Sequence, residues 1–142
     1  MVKFNSHIIM NEKIYVSWSE VEILVDNLCR EIKENIPWVE SIKGLPRGGL
    51  IPAVMVSHQL DLPLLTNIQP RNENTVIIDD IADSGKTLEE YKGWDTAVLH
   101  YKPHTSSVIP TVYAEAFASD AWLVYPWERE DSKPIQDYIY NK

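Results

Sequence analysis

The chain has 142 residues, 44% hydrophobic and 24% charged, which suits one ordinary globular domain spanning residues 1–142 and excludes a disordered or fibrous chain. A formal net charge of -8 excludes the broad basic face that holds nucleic acid, while leaving room for an anionic small molecule gripped by a few local amides and cations. No apolar run approaches the roughly 20 residues needed to cross a bilayer, and the first residues lack the apolar core and cleavage site of a signal peptide, so a cytoplasmic protein with no membrane partner is expected.

Ser17-Trp18-Ser19-Glu20 reads as a capping box, and Trp18, Val21, Val25, Leu28 and Ile32 follow at helical spacing, which predicts an amphipathic helix ending before Pro37. Cys29 lies on that helix among apolar residues and is expected to be a packed core thiol without redox chemistry. A short strand is predicted at 38–43, then a turn, Gly44-Leu45-Pro46-Arg47-Gly48-Gly49, and a second helix over 50–60 with Pro52 in its first turn. Further strands are predicted at 62–68 and 75–78, separated by a polar turn. A third helix is predicted over 87–94, then strands at 96–101, 112–117 and 121–125. Strands alternating with helices imply an α/β domain with a mostly parallel twisted sheet covered on both faces. His7, His58, His100 and His104 lack metal-ligand spacing, so no zinc site is expected.

The segment most informative about chemistry runs Thr75-Val76-Ile77-Ile78-Asp79-Asp80-Ile81-Ala82-Asp83-Ser84-Gly85-Lys86-Thr87-Leu88. A β-branched strand leads to two carboxylates, a loop of small and polar residues, and a helix start. Open parallel sheets place ligands at that carboxyl end, and helix-start amides with the Ser84 and Thr87 hydroxyls suit a phosphate monoester. Gly85-Lys86-Thr87 matches the tail of a nucleotide-triphosphatase loop, but that pattern needs a glycine where Asp80 stands. Two adjacent carboxylates would also repel a polyphosphate directly beside them unless they face hydroxyls or a metal ion.

Val76 to Leu88 closely resembles the phosphoribosyl pyrophosphate (PRPP) signature of type I phosphoribosyltransferases, and the resemblance extends over most of the chain, nearest to the bacterial xanthine-guanine phosphoribosyltransferases. Pro46-Arg47-Gly48-Gly49-Leu50-Ile51-Pro52 is similar to that family's pyrophosphate loop. Tyr15-Val16-Ser17-Trp18 is similar to its N-terminal helix start, and Asp120-Ala121-Trp122-Leu123-Val124-Tyr125-Pro126-Trp127-Glu128 to its purine-site segment.

The resemblance implies a fold with a small hood over the sheet and transfer of phosphoribose from PRPP, with release of pyrophosphate, to a 6-oxopurine such as xanthine, guanine or hypoxanthine. It further implies that Asp79 and Asp80 meet the ribose hydroxyls, directly or through Mg2+, and that Ala82, Ser84, Gly85, Lys86 and Thr87 hold the 5-phosphate. By the same resemblance Asp83 is the acid/base near purine N7, with a plain helix N-cap as the alternative. Arg47, Gly48 and Gly49 hold pyrophosphate, with the Pro46-Arg47 peptide cis. Lys102 contacts the 6-oxo group, unless it is a solvated loop lysine. Trp122 stacks on the base, unless it packs in the core, and the Leu123 carbonyl meets the exocyclic edge. A homo-oligomer, dimer or tetramer, is the family expectation.

Two departures stand out. Residues 69–74 replace the family's long mobile loop, leaving 103–110 as an alternative cover, and the charged run after Trp127 reads as a solvated tail. The short loop keeps open a nucleotide- or PRPP-sensing module with weak turnover. A pyrimidine or other acceptor on the same fold also stays open.

Overall fold

The structure is a computed structural model and describes residues 12–129. Its main sheet has four strands, β2 (Ser41–Gly44), β3 (Thr75–Ala82), β4 (Asp95–Tyr101) and β5 (Val112–Ala116), in that order and all parallel. A second, two-stranded parallel sheet pairs β1 (Lys13–Tyr15) with β6 (Trp122–Val124) and forms a small hood. The helices are α1 (Trp18–Asn35), α2 (Leu50–Leu60) and the single turn α3 (Lys86–Glu89).

The capping box at α1 is complete: Ser17 Oγ accepts from Glu20 N at 3.1 Å and Glu20 Oε1 accepts from Ser17 N at 2.8 Å. Its buried stripe of Val21, Leu24, Val25, Leu28, Cys29 and Ile32 packs with Val56 of α2 and with Ile42, Val76, Ile78, Ala97 and Leu99 on one face of the sheet. Burial there pushes the Cys29 thiol up to about 11, consistent with an inert core thiol. The opposite face carries Ile77, Val98 and Tyr101 and is covered by Leu45, Leu88, Tyr91 and Trp94. The sheet is therefore covered on both sides, by long helices on one and by loops and one helical turn on the other.

Several predicted boundaries move. The strand at 38–43 begins only at Ser41, because Trp38 turns outward and its indole N–H donates to Asp95 Oδ2 at 2.9 Å. The strand at 62–68 shrinks to one bridge, Ile42 with Leu64; Pro63 has no amide hydrogen to give a ladder. The strand predicted at 75–78 runs on to Ala82, so the two carboxylates lie within β3 and not after it. The helix predicted over 87–94 stops at Glu89, where bonding tightens to Tyr91 N→Leu88 O and Trp94 N→Tyr91 O, laying both aromatic rings onto the sheet. Strands β4, β5 and β6 shift by a residue or two from 96–101, 112–117 and 121–125, and β1 carries no sequence pattern strong enough to be predicted.

Candidate active site

Side-chain alternation along β3 slips at its carboxylates: Ile78 and Ile81, three residues apart, face the same cluster. At the slip the Asp80 amide donates to Asp79 Oδ1 at 2.9 Å and the Ile81 amide to Asp80 Oδ1 at 2.8 Å. Asp79 is buried, and burial pushes the Asp80 carboxyl up to about 6, with the negative charge of Glu128 adding to the effect. The turn before α2 lies directly against this pair: a Cβ on Gly48 would collide with the Asp80 carboxylate, and one on Gly49 would lie 2.5 Å from the Ile78 carbonyl and 2.9 Å from Asp79 Cα. Only glycine permits this approach of the two segments. The Pro46-Arg47 peptide is cis, and Arg47 is exposed.

Beyond Ala82, which is buried, Asp83, Ser84 and Lys86 are exposed, Gly85 is buried at φ 85°, and Thr87 is buried at the head of α3. A helix of four residues supplies little macrodipole, so any anion affinity here belongs to the turn itself, which passes through a left-handed Gly85 and in which the Lys86 amide donates to Ser84 Oγ at 3.3 Å. The chain from Lys102 to Val108 is fastened onto this turn. Ser107 N donates to Ser84 O at 2.8 Å, Ser107 Oγ donates to Glu89 Oε2, and Thr105 Oγ1 donates to Asp83 O at 2.8 Å and to Asp83 Oδ1 at 3.1 Å. A Cβ on Gly85 would meet Ser106 Oγ at 2.7 Å.

Asp83 is not a helix N-cap; Gly85 holds that position. Its carboxylate lies 3.6 Å from Lys102 Nζ. Nor is Lys102 a solvated loop residue: it is buried, donates to the Ala121 carbonyl at 2.9 Å and sits 5.9 Å from the Phe117 ring. That bond joins the sheet to the hood. In the hood, Leu123 is buried and Trp122 is 50% exposed, so Trp122 does not fill the core.

All the sequence-predicted residues lie along the carboxyl edge of the sheet or in the hood. Thr105, Ser107, His100, Tyr125 and Glu128 join them without having been singled out. Thr105 and Ser107 fall in the stretch 103–110 that was read only as an alternative cover, and His100 was weighed only for metal-ligand spacing and as part of a strand. Glu128 is not merely part of a solvated tail, since its Oε1 accepts from Tyr125 N at 2.8 Å; the rest of the charged run from residue 130 on lies outside the described residues. The turn at 69–74 is compact and tied down, with Asn72 N→Gln69 O at 2.8 Å, Gln69 N→Asn72 Oδ1 at 2.9 Å and the Trp94 indole N–H on Asn72 O at 3.0 Å.

Fold and site together define an α/β protein whose candidate residues gather at the carboxyl edge of a parallel sheet, where open sheets of this kind place ligands. No family model matches the chain. The solved purine phosphoribosyltransferase of Pyrococcus horikoshii is 30% identical, with 87% of this chain and 99% of that one covered at a TM-score of 0.71. The curated xanthine-guanine phosphoribosyltransferase of Cereibacter sphaeroides is 28% identical over 145 residues, covering 80% of this chain and 86% of its own length. The xanthine-guanine-hypoxanthine phosphoribosyltransferase of Helicobacter pylori, at 17% identity and a TM-score of 0.71, shares the fold. The chain belongs to the type I phosphoribosyltransferase family, and it is an enzyme.

Proposed function

We propose that the protein transfers the phosphoribosyl group of PRPP to a ring nitrogen of a 6-oxopurine, xanthine, guanine or hypoxanthine, releasing pyrophosphate. One observation carries the reading: Gly48 abuts Asp80 at the end of β3 and, three residues on, Asp83 lies 3.6 Å from a buried Lys102, an order that supports a pyrophosphate turn, a ribose carboxylate and a base-facing cation in succession. The names of the relatives from Pyrococcus horikoshii and Cereibacter sphaeroides support the purine acceptor.

In this reading Asp79 and Asp80 accept hydrogen bonds from the ribose hydroxyls, stabilising positive charge that develops at the anomeric carbon. The turn of Ala82, Ser84, Gly85, Lys86 and Thr87 holds the 5-phosphate, and Arg47 with the Gly48 and Gly49 amides holds pyrophosphate. Asp83 takes the proton the purine ring sheds as it attacks, and Lys102, pinned to the Ala121 carbonyl, donates to the 6-oxo group. Trp122 covers the base and the Leu123 carbonyl meets its exocyclic edge. Mg2+ would be held by Asp79 and Asp80 together with oxygens of the substrate, since a hard cation of this kind takes carboxylate and phosphate oxygens. When bound, that ion neutralises the leaving pyrophosphate.

The cover for this site is the chain from Lys102 to Val108, which is bonded to the turn that would hold the phosphate, while the turn at 69–74 is bonded to the sheet instead. That short turn is also what favours a second reading, a PRPP- or nucleotide-sensing module with weak turnover. Location in the cytoplasm and a homo-oligomeric state, dimer or tetramer, are part of the proposal. Exposed apolar side chains on one side of α2, Leu50 and Val54, favour association, and light scattering on the purified protein reads the state directly.

Incubating the protein with Mg2+, PRPP and each of xanthine, guanine, hypoxanthine and uracil separates the readings. Pyrophosphate release with a 6-oxopurine and not with uracil is the expected result. Release with uracil alone points to the pyrimidine acceptor, and PRPP binding without release from any base points to the sensor.

A further inference from the structure

Behind the carboxylates a buried chain of hydrogen bonds crosses three elements. The Tyr125 hydroxyl, just past β6, lies 2.7 Å from His100 Nδ1 on β4 and 3.2 Å from the main-chain carbonyl of Asp80 on β3. A carbonyl only accepts, so the single hydroxyl proton goes to Asp80. The hydroxyl must then accept from His100, which fixes that imidazole as the Nδ1–H tautomer. Burial holds His100 down to about 4, so the ring is neutral at pH 7 and has one such proton to give.

Both ends of this chain are stiff. The Tyr125 ring stacks on Trp127 with centroids 4.9 Å apart and planes 1° from parallel, and the Tyr125 amide donates to Glu128. Only Leu123 and Val124 separate Tyr125 from Trp122, and all of Trp122–Val124 is paired with β1. At the other end the Asp80 carbonyl belongs to the residue whose carboxylate abuts Gly48. A shift of β6 therefore either moves the Asp80 peptide with it or breaks a buried bond.

We propose that Tyr125 is a positioning residue that couples the hood strand carrying Trp122 to the carboxylates of β3, so that a base seated at Trp122 tightens the grip on ribose at Asp79 and Asp80. This deepens the phosphoribosyl reading and rests on it. A hydroxyl that merely filled the core would contribute to melting temperature and leave the two sites independent.

Ribose 5-phosphate, which has no pyrophosphate to lose, allows the coupling to be read without turnover. Its affinity for the full chain is measured by calorimetry with and without saturating hypoxanthine, alongside the melting temperature. In the wild type the base tightens ribose 5-phosphate by about fivefold or more. Tyr125→Phe keeps the ring and its stack, and its affinity for ribose 5-phosphate becomes the same with and without base. His100→Leu, which leaves the hydroxyl without its donor, also lowers the coupling, whereas His100→Gln, whose amide still donates, retains it. Wild-type coupling in either Tyr125→Phe or His100→Leu overturns the proposal, as does a wild type that binds ribose 5-phosphate with no response to base. A wild type that does not bind ribose 5-phosphate at all overturns the phosphoribosyl reading itself.

Discussion

Asp83 is anchored as a working carboxylate is, by a hydroxyl from Thr105 and a cation 3.6 Å away on Lys102, and it leaves the helix cap to Gly85. Asp83→Asn keeps both neighbours and removes the proton acceptor. Turnover in the pyrophosphate assay is expected to fall about 100-fold or more, while ribose 5-phosphate affinity stays within about twofold. Equal loss of both would assign Asp83 to binding alone. Gly48→Ala drives a methyl into the Asp80 carboxylate, so PRPP binding is expected to drop by about tenfold or more with the far-ultraviolet spectrum unchanged. His100 titrates near 4 in the fold against 6.5 for a free imidazole. A depressed pKa contributes stability that is complete above about 6.5 and is lost as pH falls toward 4. Asp80, raised from 3.8 to about 6, acts in the opposite sense, losing stability as pH rises through 6. The difference in Tm between wild type and His100→Gln, which has no imidazole to charge, is therefore expected to narrow as pH falls from 7 to about 4.5. A constant gap would contradict the buried neutral ring.

Elements with strong local rules were legible in the sequence, and those governed by distant partners were not. Helix α1 was visible because its cap and its stripe are written within the helix itself. Ser17→Ala removes one half of that capping box and is expected to cost about 1 kcal/mol, read as a Tm lower by about 4 °C. The carboxylates Asp79 and Asp80 were legible as the end of an apolar strand before a small, polar loop, whereas the roles expected of Arg47, Gly48, Gly49 and Asp83 came from the family resemblance. What stayed hidden depends on contacts from elsewhere. Helix α3 is one turn long because Tyr91 and Trp94 pack onto the sheet face left uncovered by α1 and α2, and Trp94 is tied to Asn72 on another segment. β1 exists because β6 is beside it, and Lys13-Ile14-Tyr15 has no turn signal of its own. Thr105 and Tyr125 join the site only through the fold.

At the scale of the whole molecule, a chain of net charge -8 is asked to bind a substrate that is itself strongly negative. In the proposed reading the answer is local: the turn at Gly85 offers peptide N–H groups, the glycine turn at 48–49 lies against Asp79 and Asp80, and burial raises the Asp80 carboxyl, which lowers its charge near pH 6. No helix among the described residues is long and apolar enough to cross a membrane. The central claim is that backbone N–H groups after β3 hold the sugar phosphate while Asp79 and Asp80 face its ring. Titrating the isotope-labelled protein with ribose 5-phosphate and following each amide by nuclear magnetic resonance tests this most directly. The largest saturable shifts are expected at Asp83, Ser84, Gly85, Lys86 and Thr87, with smaller ones at Asp79 and Asp80. Saturable binding that leaves those amides unmoved and shifts the α1–α2 surface instead would contradict it.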